Sequence, residues 1–267
     1  MPGIALFGAT GKMGREILTL IAGSADLVLK GSLASPGNPA IGRDAAVIAG
    51  LAPLGAVVTD DPDTALAGAL VAIDFTRPAA SLTHARACAR CGVPLVIGTT
   101  GHDEAGRREI EALARSLPVV LAPNMSLGVT LLLRLAELAA RVLPSQYDAE
   151  VFEAHHRDKV DAPSGTALAL GKAVASARGT RLDDTAVYAR HGDTGPRPAG
   201  AIGFSVLRAG DIVGEHRLVF AGPGERVELA HLAQDRSGFA RGALAAARWL
   251  AAGRKPGLYG MHDVLGL

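Results

Sequence analysis

Short apolar runs alternate with helical stretches along the first half of the chain. The run at residues 4–7 ends in a glycine-rich turn, and residues 12–22 then carry apolar side chains at helical spacing. Further apolar runs lie at 27–33, 70–75, 94–97 and 119–122, with helical stretches at 79–91 and 104–117. Because continuous apolar strands between helices are typical of parallel sheets covered on both faces, this half predicts a doubly wound α/β domain.

The pattern changes after Asn124, where strands begin to follow one another. We predict helices at 127–143, after Pro163 and at 239–252, and strands at 150–155, 186–190, 202–209, 212–220 and 226–232. The turns at 209–211 and 222–225 have the composition of hairpin turns. We therefore predict a second α+β domain with a mostly antiparallel sheet, and the last helix is expected to pack on the first domain.

Composition and charge exclude several classes of partner. Apolar residues make up 49% of the 267 residues, whereas the net charge is only +1. A nearly neutral chain has no overall field for nucleic acid or a membrane surface, so we expect anion binding to be local. The chain lacks the start of a signal peptide, and its longest uncharged stretch, 116–133, is interrupted by prolines. We expect a cytoplasmic protein.

The two cysteines, Cys88 and Cys91, have the spacing of a redox pair or half of a zinc site. Both fall on a predicted helix, and there is no second cysteine pair. We therefore interpret them as ordinary helix residues and expect no metal site.

A glycine-rich turn joins the first strand to the first helix. Its sequence is Gly-Ala-Thr-Gly-Lys-Met-Gly at residues 8–14, a GxxGxxG spacing. Such a turn lets backbone amides approach a pyrophosphate at the amino terminus of a helix, as in Rossmann-like domains. We predict NADPH or NADH as cofactor, contacted by Gly8, Ala9, Thr10, Gly11, Lys12 and Met13.

Cofactor preference depends on the end of the second strand. An acidic residue at that place would hold the adenine ribose of NADH, but residues 33–36 are Leu-Ala-Ser-Pro. A 2′-phosphate would meet no repulsion and could contact Ser35 or Lys12. We therefore expect NADPH to be used at least as well as NADH.

Two further loops follow predicted parallel strands. Ligands bind at the carboxyl ends of strands in open α/β sheets, so both loops are candidates for the nicotinamide side of the cofactor. Tight turns would also account for their Gly and Asn residues. The candidate contacts are Gly98, Thr99, Thr100, Ala122, Pro123, Asn124 and Met125.

Two histidines and a lysine lie where a predicted strand ends in a polar turn. Since side chains alternate along a strand, His155 and His156 cannot both face the core, and one should face a cleft. Histidine can donate or accept a proton near neutral pH. Lys159, in the same turn, can hold a carboxylate or deliver a proton.

The residues after this turn open a helix. Asp161 or a neighbour can cap it, and Pro163 suits its first turn. The amides around Ser164, Gly165 and Thr166 would then be available for an anion. Each of these side chains has an ordinary structural explanation, but their conjunction predicts an active site for an acidic substrate.

The segment Glu-Ala-His-His-Arg-Asp-Lys-Val-Asp-Ala-Pro-Ser-Gly-Thr-Ala at 153–167 resembles the signature of the 4-hydroxy-tetrahydrodipicolinate reductase family, also called dihydrodipicolinate reductase. The resemblance extends over nearly the whole chain. Other segments resemble family motifs and occur in the same order along the chain. They are residues 8–14, 74–76, 98–101, 122–126, 208–216, 228–231 and 239–242.

The resemblance implies NAD(P)H-dependent reduction of a cyclic unsaturated dicarboxylate, with loss of water, in lysine and diaminopimelate biosynthesis. His155 matches the family's proton donor and acceptor, and Lys159 matches its proton donor. His156, Gly165 and Thr166 match substrate-binding positions. It also implies a homotetramer, with a dinucleotide-binding domain at 1–126 and 236–267 and a substrate-binding and oligomerisation domain at 127–235.

Ala34 and Ser35 depart from the acidic and basic residues common in the family, which affects cofactor preference but not the reaction. A short-chain dehydrogenase would need a tyrosine followed four residues later by lysine, and none of the three tyrosines has one. A dinucleotide-binding regulator or an inactive paralogue remains as the alternative and predicts cofactor binding without turnover.

Overall fold

Strands and helices alternate through the first 121 residues of the computed structural model, which describes residues 1–267. The strands are β1 (Gly3–Phe7), β2 (Val28–Leu33), β3 (Val58–Thr59), β4 (Val71–Asp74), β5 (Leu95–Ile97) and β6 (Pro118–Leu121). The helices are α1 (Lys12–Ala22), α2 (Ala45–Ile48), α3 (Pro62–Leu66), α4 (Pro78–Cys91) and α5 (Glu104–Leu113). The sequence pattern predicts all but β3, α2 and α3, which are too short to show a period.

The remainder of the chain begins with a long helix and then forms strands in succession. Its elements are α6 (Leu127–Val142), β7 (Asp148–His155), α7 (Gly165–Ala177), α8 (Leu182–Thr185), β8 (Ala186–Val187), β9 (Ile202–Arg208), β10 (Gly214–Gly222) and β11 (Glu225–Ala233). The chain ends with α9 (Ser237–Ala251), β12 (Gly257–Tyr259) and α10 (Met261–Leu265). None of the helices is long and apolar enough to cross a membrane.

The first unit, residues 1–127 and 236–267, is built on a parallel sheet of seven strands in the order β12-β6-β5-β4-β1-β2-β3. Its strands alternate between two cores: Ile4 packs with Ile17 of α1 and Leu244 of α9. Phe7 packs on the opposite face with Ile110 of α5. Helices therefore cover both faces, and the predicted doubly wound fold is confirmed.

The second unit, residues 128–235, is built on a sheet of five strands in the order β11-β10-β7-β9-β8. Helices α6 and α7 cover one face, where Leu170 and Val174 pack with Val151 and Phe204. The sheet is mixed: β10 runs antiparallel to β7 and β11, whereas β9 runs parallel to β7 and β8. Parallel β7 and β9 need a crossover connection, which contains α7.

One of the two expected hairpin turns is present. Gly222 pairs with Glu225 across a two-residue turn that joins β10 to β11. The hairpin expected at 209–211 is wrong, because β9 and β10 pair with opposite sides of β7. The connection instead crosses the carboxyl end of β7, where the Ala209 amide donates to the His155 carbonyl at 3.0 Å. This crossing places Arg208 beside His155.

Candidate active site and nucleotide pocket

The glycine turn between β1 and α1 is tight enough to require its glycines. Gly8 has a φ of +82°, and a Cβ on Gly14 would lie 2.3 Å from the Gly8 carbonyl oxygen. Only glycine tolerates such a close approach of backbone to backbone. The turn is thus a bare backbone cradle at the amino terminus of α1, which suits a pyrophosphate.

A cavity of about 700 Å³ opens beside this turn, at the carboxyl ends of β1, β2 and β4. Of the predicted cofactor residues, Gly8, Thr10, Gly11 and Ser35 line it, whereas Ala9 and Met13 pack in the core. Lys12 is exposed at the start of α1. The cavity therefore fits the adenosine and pyrophosphate parts of a dinucleotide. The lining residues that the sequence did not predict include three ionisable ones, Asp60, Arg77 and His84.

A buried carboxylate ties together the loops that follow β4 and β5. Asp74 has no exposed surface, and its Oδ1 accepts hydrogen bonds from Thr99 Oγ1 at 2.7 Å and from the Thr76 amide at 2.9 Å. His84 Nδ1 lies 2.6 Å from the other carboxylate oxygen. Thr99 is therefore a support of its loop, and the exposed Thr100 is the side chain that faces solvent there. Gly98 leaves room for the Phe75 ring, which a Cβ would approach to 2.2 Å.

The loop after β6 is held by the helix that returns from the end of the chain. A Cβ on Gly242 of α9 would lie 1.6 Å from the Met125 carbonyl oxygen. Ala122 and Met125 are buried, Pro123 is exposed, and Asn124 Oδ1 accepts from the Ser126 amide at 2.8 Å. The predicted contacts at this loop thus present mainly backbone at the same sheet edge as the glycine turn, since all seven strands are parallel.

His155 is the last residue of β7, and its imidazole is bonded to a carboxylate on the same face of the strand. Its Nδ1 lies 2.6 Å from Glu153 Oε2. A Cβ on Gly214 would lie 3.1 Å from His155 Nε2, so this glycine leaves space beside that nitrogen. Burial lowers the pKa of His155 against the opposing effect of Glu153, so the imidazole is mainly neutral at pH 7.

Lys159 lies in the turn after His155. Its Nζ donates to Asp161 Oδ1 at 2.7 Å, and its side chain is mostly buried. His156, the residue between β7 and this turn, is half-buried, and its carbonyl accepts from the Lys159 amide at 3.2 Å. The structure thus brings His155, His156 and Lys159 together at one end of β7.

Helix α7 begins at Gly165 and so follows Pro163 as predicted, but Pro163 itself lies before its first turn. Its cap is Ser164, whose Oγ accepts from the Ala167 amide at 3.2 Å, and not Asp161. Pro163 precedes the cap and follows a cis peptide bond. The Ser164 amide, which the sequence interpretation leaves available for an anion, donates to Glu153 Oε1 at 2.9 Å. Gly165, exposed at the first helical position, takes part in neither of these bonds.

A second histidine packs against His155 from β10. The rings of His155 and His216 lie 5.1 Å apart, and His216 Nε2 lies 3.0 Å from Ser164 Oγ. Burial lowers the pKa of His216 to about 4, so this imidazole is neutral at physiological pH. Glu153, Arg208 and His216 lie within the family motifs of the sequence, but no role was predicted for them. The position of Glu153 two residues before His155, on the same strand face, was the available signal.

The two cysteines take no part in either region. Cys88 lies on the buried face of α4, where burial raises the pKa of its thiol, and Cys91, the last residue of that helix, is exposed. No group of His, Cys, Asp or Glu side chains is arranged to hold a metal ion.

Two family profiles match the chain and together cover nearly all of it. Residues 3–125 match the profile described as dihydrodipicolinate reductase, N-terminus, and residues 128–265 match dihydrodipicolinate reductase, C-terminus.

Curated relatives and a solved structure agree with these profiles. The 4-hydroxy-tetrahydrodipicolinate reductases of Thiobacillus denitrificans and Nitrosomonas europaea are 56% and 52% identical to the chain, covering 99% of it and 98% of each relative. A dipicolinate-bound dihydrodipicolinate reductase from Paenisporosarcina sp. TG-14 superposes with a TM-score of 0.79 at 26% identity, covering 98% of this chain and 99% of that one.

Proposed function

Because this chain belongs to the dihydrodipicolinate reductase family, we propose that it reduces 4-hydroxy-tetrahydrodipicolinate to tetrahydrodipicolinate with NAD(P)H and loss of water, in lysine and diaminopimelate biosynthesis. One observation carries the proposal beyond the likeness of sequence. His155 and Lys159, two groups able to transfer protons, lie at the end of β7 beside the amino terminus of α7. A dicarboxylate that must be protonated during reduction is a natural substrate for this arrangement.

The first unit is proposed to hold the dinucleotide, and the second to bind the substrate. The glycine cradle fits a pyrophosphate, because side chains at Gly8 or Gly14 would fill the space that the backbone needs. The reduced nicotinamide of the bound dinucleotide would supply the hydride. Gly98, Thr100 and the backbone of residues 122–125 are proposed to hold the nicotinamide end.

His155 and Lys159 are proposed to manage the protons of the reaction. In the net reaction, hydride from the nicotinamide replaces the ring hydroxyl, and the proton taken up leaves with that hydroxyl as water. A positioned acid lowers the barrier by supplying this proton. His155 Nε2 is the ring nitrogen that is not paired with Glu153, and a side chain at Gly214 would crowd it. This nitrogen is proposed to give a proton to the substrate or take one from it. The Lys159 ammonium, held by Asp161, can supply a proton and stabilise the developing charge.

The substrate carboxylates are proposed to bind between His156 and the start of α7. Gly165 and Thr166 occupy its first turn, where the backbone amides and the helix dipole favour an anion. Ser164, whose amide the sequence leaves available for an anion, is buried and acts as the cap of this turn. In the Paenisporosarcina relative, dipicolinate, a planar dicarboxylate, is the bound molecule.

Cofactor preference is proposed to follow from the wall of the adenosine cavity. Ala34 and Ser35 bring no carboxylate to the end of β2, and the exposed Arg77 lines the same cavity. Asp60 also lines it and can accept hydrogen bonds from ribose hydroxyls. We expect NADPH to be used at least as well as NADH.

The enzyme is proposed to be a homotetramer of the cytoplasm. Helices α6 and α7 cover one face of the second sheet, whereas the opposite face carries the exposed side chains of Leu207 and Leu232. Exposed leucines among ion pairs such as Arg217–Glu228 suit an interface between copies of a chain. A molar mass of one chain in solution would contradict the oligomeric part of the proposal.

The function is tested by coupling the protein to a dihydrodipicolinate synthase reaction and following the loss of absorbance of the reduced nicotinamide. Turnover that depends on both enzymes is expected. Cofactor binding without turnover, for either NADPH or NADH, would contradict the proposal and favour a regulator.

A further inference from the structure

We infer that Glu153 is a positioning residue that fixes the Nδ1–H tautomer of His155 and joins this proton-transfer group to the anion-binding end of α7. The inference rests on the function proposed above, because it assigns His155 to proton transfer. Glu153 itself does not need to touch the substrate. It is 1% exposed and lies beneath the site.

Glu153 receives hydrogen bonds from three separate elements. Its Oε2 lies 2.6 Å from His155 Nδ1 and accepts from an Arg208 amino group at 2.8 Å. Its Oε1 accepts from the other Arg208 amino group at 2.7 Å and from the Ser164 amide at 2.9 Å. One carboxylate therefore connects the ends of β7 and β9 with the cap of α7.

Arg208 keeps this buried carboxylate ionised. Burial acts to raise the pKa of Glu153, but the hydrogen bonds from Arg208, His155 and Ser164 outweigh burial and hold it below its usual range. Arg208 is itself fixed, because it also donates to the Asp161 carbonyl at 2.6 Å. An ionised carboxylate is only an acceptor, so the hydrogen between Glu153 and His155 belongs to Nδ1.

The consequence for His155 is a defined direction of proton transfer. With the hydrogen on Nδ1, Nε2 is the nitrogen that exchanges a proton, and it lies next to Gly214 and not against Glu153. The charged and titratable groups that face the imidazole are Glu153 on β7, Arg208 on β9, His216 on β10 and Lys159 in the following turn. Of these, only Glu153 accepts a hydrogen bond from Nδ1.

The unaltered protein provides the first test. Histidine is labelled with ¹⁵N, the His155 signals are assigned by their loss in His155→Gln, and the spectrum is recorded at pH 8 without ligands. We expect a protonated Nδ1 and an unprotonated Nε2. A hydrogen on Nε2 would overturn the inference. This result does not depend on activity, so it stands apart from failure of the proposed function.

Glu153→Gln gives the second test, because a glutamine must turn its amide NH₂ toward one of the two pairs of donors. We expect the Nε2–H tautomer to gain population and kcat to fall about 100-fold or more, as proton transfer is lost. The cofactor KM should change less than about threefold, because the cradle lies in the other unit. The limb of the kcat–pH profile that belongs to His155 should move to lower pH, since the negative neighbour is removed.

Glu150→Gln is the matched control. Glu150 lies on the same strand with its side chain on the opposite face, and it accepts from Arg190 at 2.8 Å and from Arg197 at 3.1 Å. The Glu150→Gln variant therefore loses the same kind of ion pair, at a residue that does not contact His155. In Glu150→Gln we expect the His155 tautomer, the kcat–pH profile and kcat to match those of the unaltered protein. Equal kcat losses in the two variants, or an unchanged tautomer in Glu153→Gln, would overturn the inference.

Discussion

In the first unit His84 Nδ1 lies 2.6 Å from Asp74, and in the second unit His155 Nδ1 lies 2.6 Å from Glu153. Both carboxylates are buried, and both lie in the last three residues of a strand in their sheet. The pairs differ in the other groups that surround each carboxylate.

Apart from the histidines, the side chains that donate hydrogen bonds to Asp74 are neutral hydroxyls, whereas the one that donates to Glu153 is a cation. Asp74 accepts from the hydroxyls of Thr76 and Thr99, each at 2.7 Å, which belong to two different loops. Glu153 accepts two hydrogen bonds from Arg208. The His84 ring packs 4.7 Å from Phe7, whereas the His155 ring packs 5.1 Å from His216 with its Nε2 next to Gly214. The first pair is thus suited to fix loops, and the second to direct a proton.

The largest expected effect is a loss of kcat when the proton-transfer groups of the second unit are removed. His155→Ala and Lys159→Ala should each lower kcat about 100-fold or more, because a positioned proton donor is lost. The measurement is kcat from the coupled assay with saturating cofactor. Near-wild-type kcat in both variants would contradict the roles proposed for these residues.

Asp74→Asn should act on binding and stability more than on chemistry. The amide cannot accept from both threonine hydroxyls and His84, so the free energy of unfolding should fall by about 1–3 kcal/mol. The cofactor KM should rise more than kcat falls, because both loops lose their shared anchor. Asp63→Asn, at an exposed ion pair with Arg90, is the control and should change stability by less than about 1 kcal/mol. Equal effects of the two variants, measured by urea unfolding, would remove the distinction.

The stability of the second unit should fall in mild acid because of His216. Its folded pKa of about 4 lies below the unfolded value of 6.5, so the unfolded chain binds the proton more readily. The free energy of unfolding is not reduced by His216 above pH 6.5. Between pH 6.5 and pH 4 it falls by about 1.4 kcal/mol per pH unit, because the unfolded chain takes up the proton. Urea unfolding at several pH values should show a shallower slope for His216→Gln. An unchanged slope would show that His216 is not the group responsible.

The smallest expected effect concerns cofactor preference. Ser35→Glu places a carboxylate at the end of β2, where it would repel a 2′-phosphate and accept from ribose hydroxyls. The ratio of kcat/KM for NADPH to that for NADH should fall about tenfold, the equivalent of about 1.4 kcal/mol. Ser35→Gln is the uncharged control and should leave the ratio closer to that of the unaltered protein. A ratio unmoved by Ser35→Glu would place the preference elsewhere in the cavity.

Most of the fold could be predicted from hydrophobic periodicity. Helix α1 has the predicted bounds, and β1, β4 and β5 differ by one residue or two, because long or fully buried elements repeat their pattern. The short elements α2, α3 and β3 were missed for lack of a repeat. The hairpin at 209–211 was wrong because turn composition is local, whereas the place of β7 between β9 and β10 is decided by long-range pairing.

The sequence by itself determined the family, the glycine cradle and the closeness of His155 to Lys159, since each depends on residues near one another in the chain. Only the tertiary structure decided which groups surround them. Arg208 is 55 residues from Glu153, and His216 is 52 residues from Ser164, yet both are hydrogen-bond neighbours. Strand order brings these residues together, and no local pattern encodes it. The tautomer that we assign to His155 therefore follows from the fold and not from the motif.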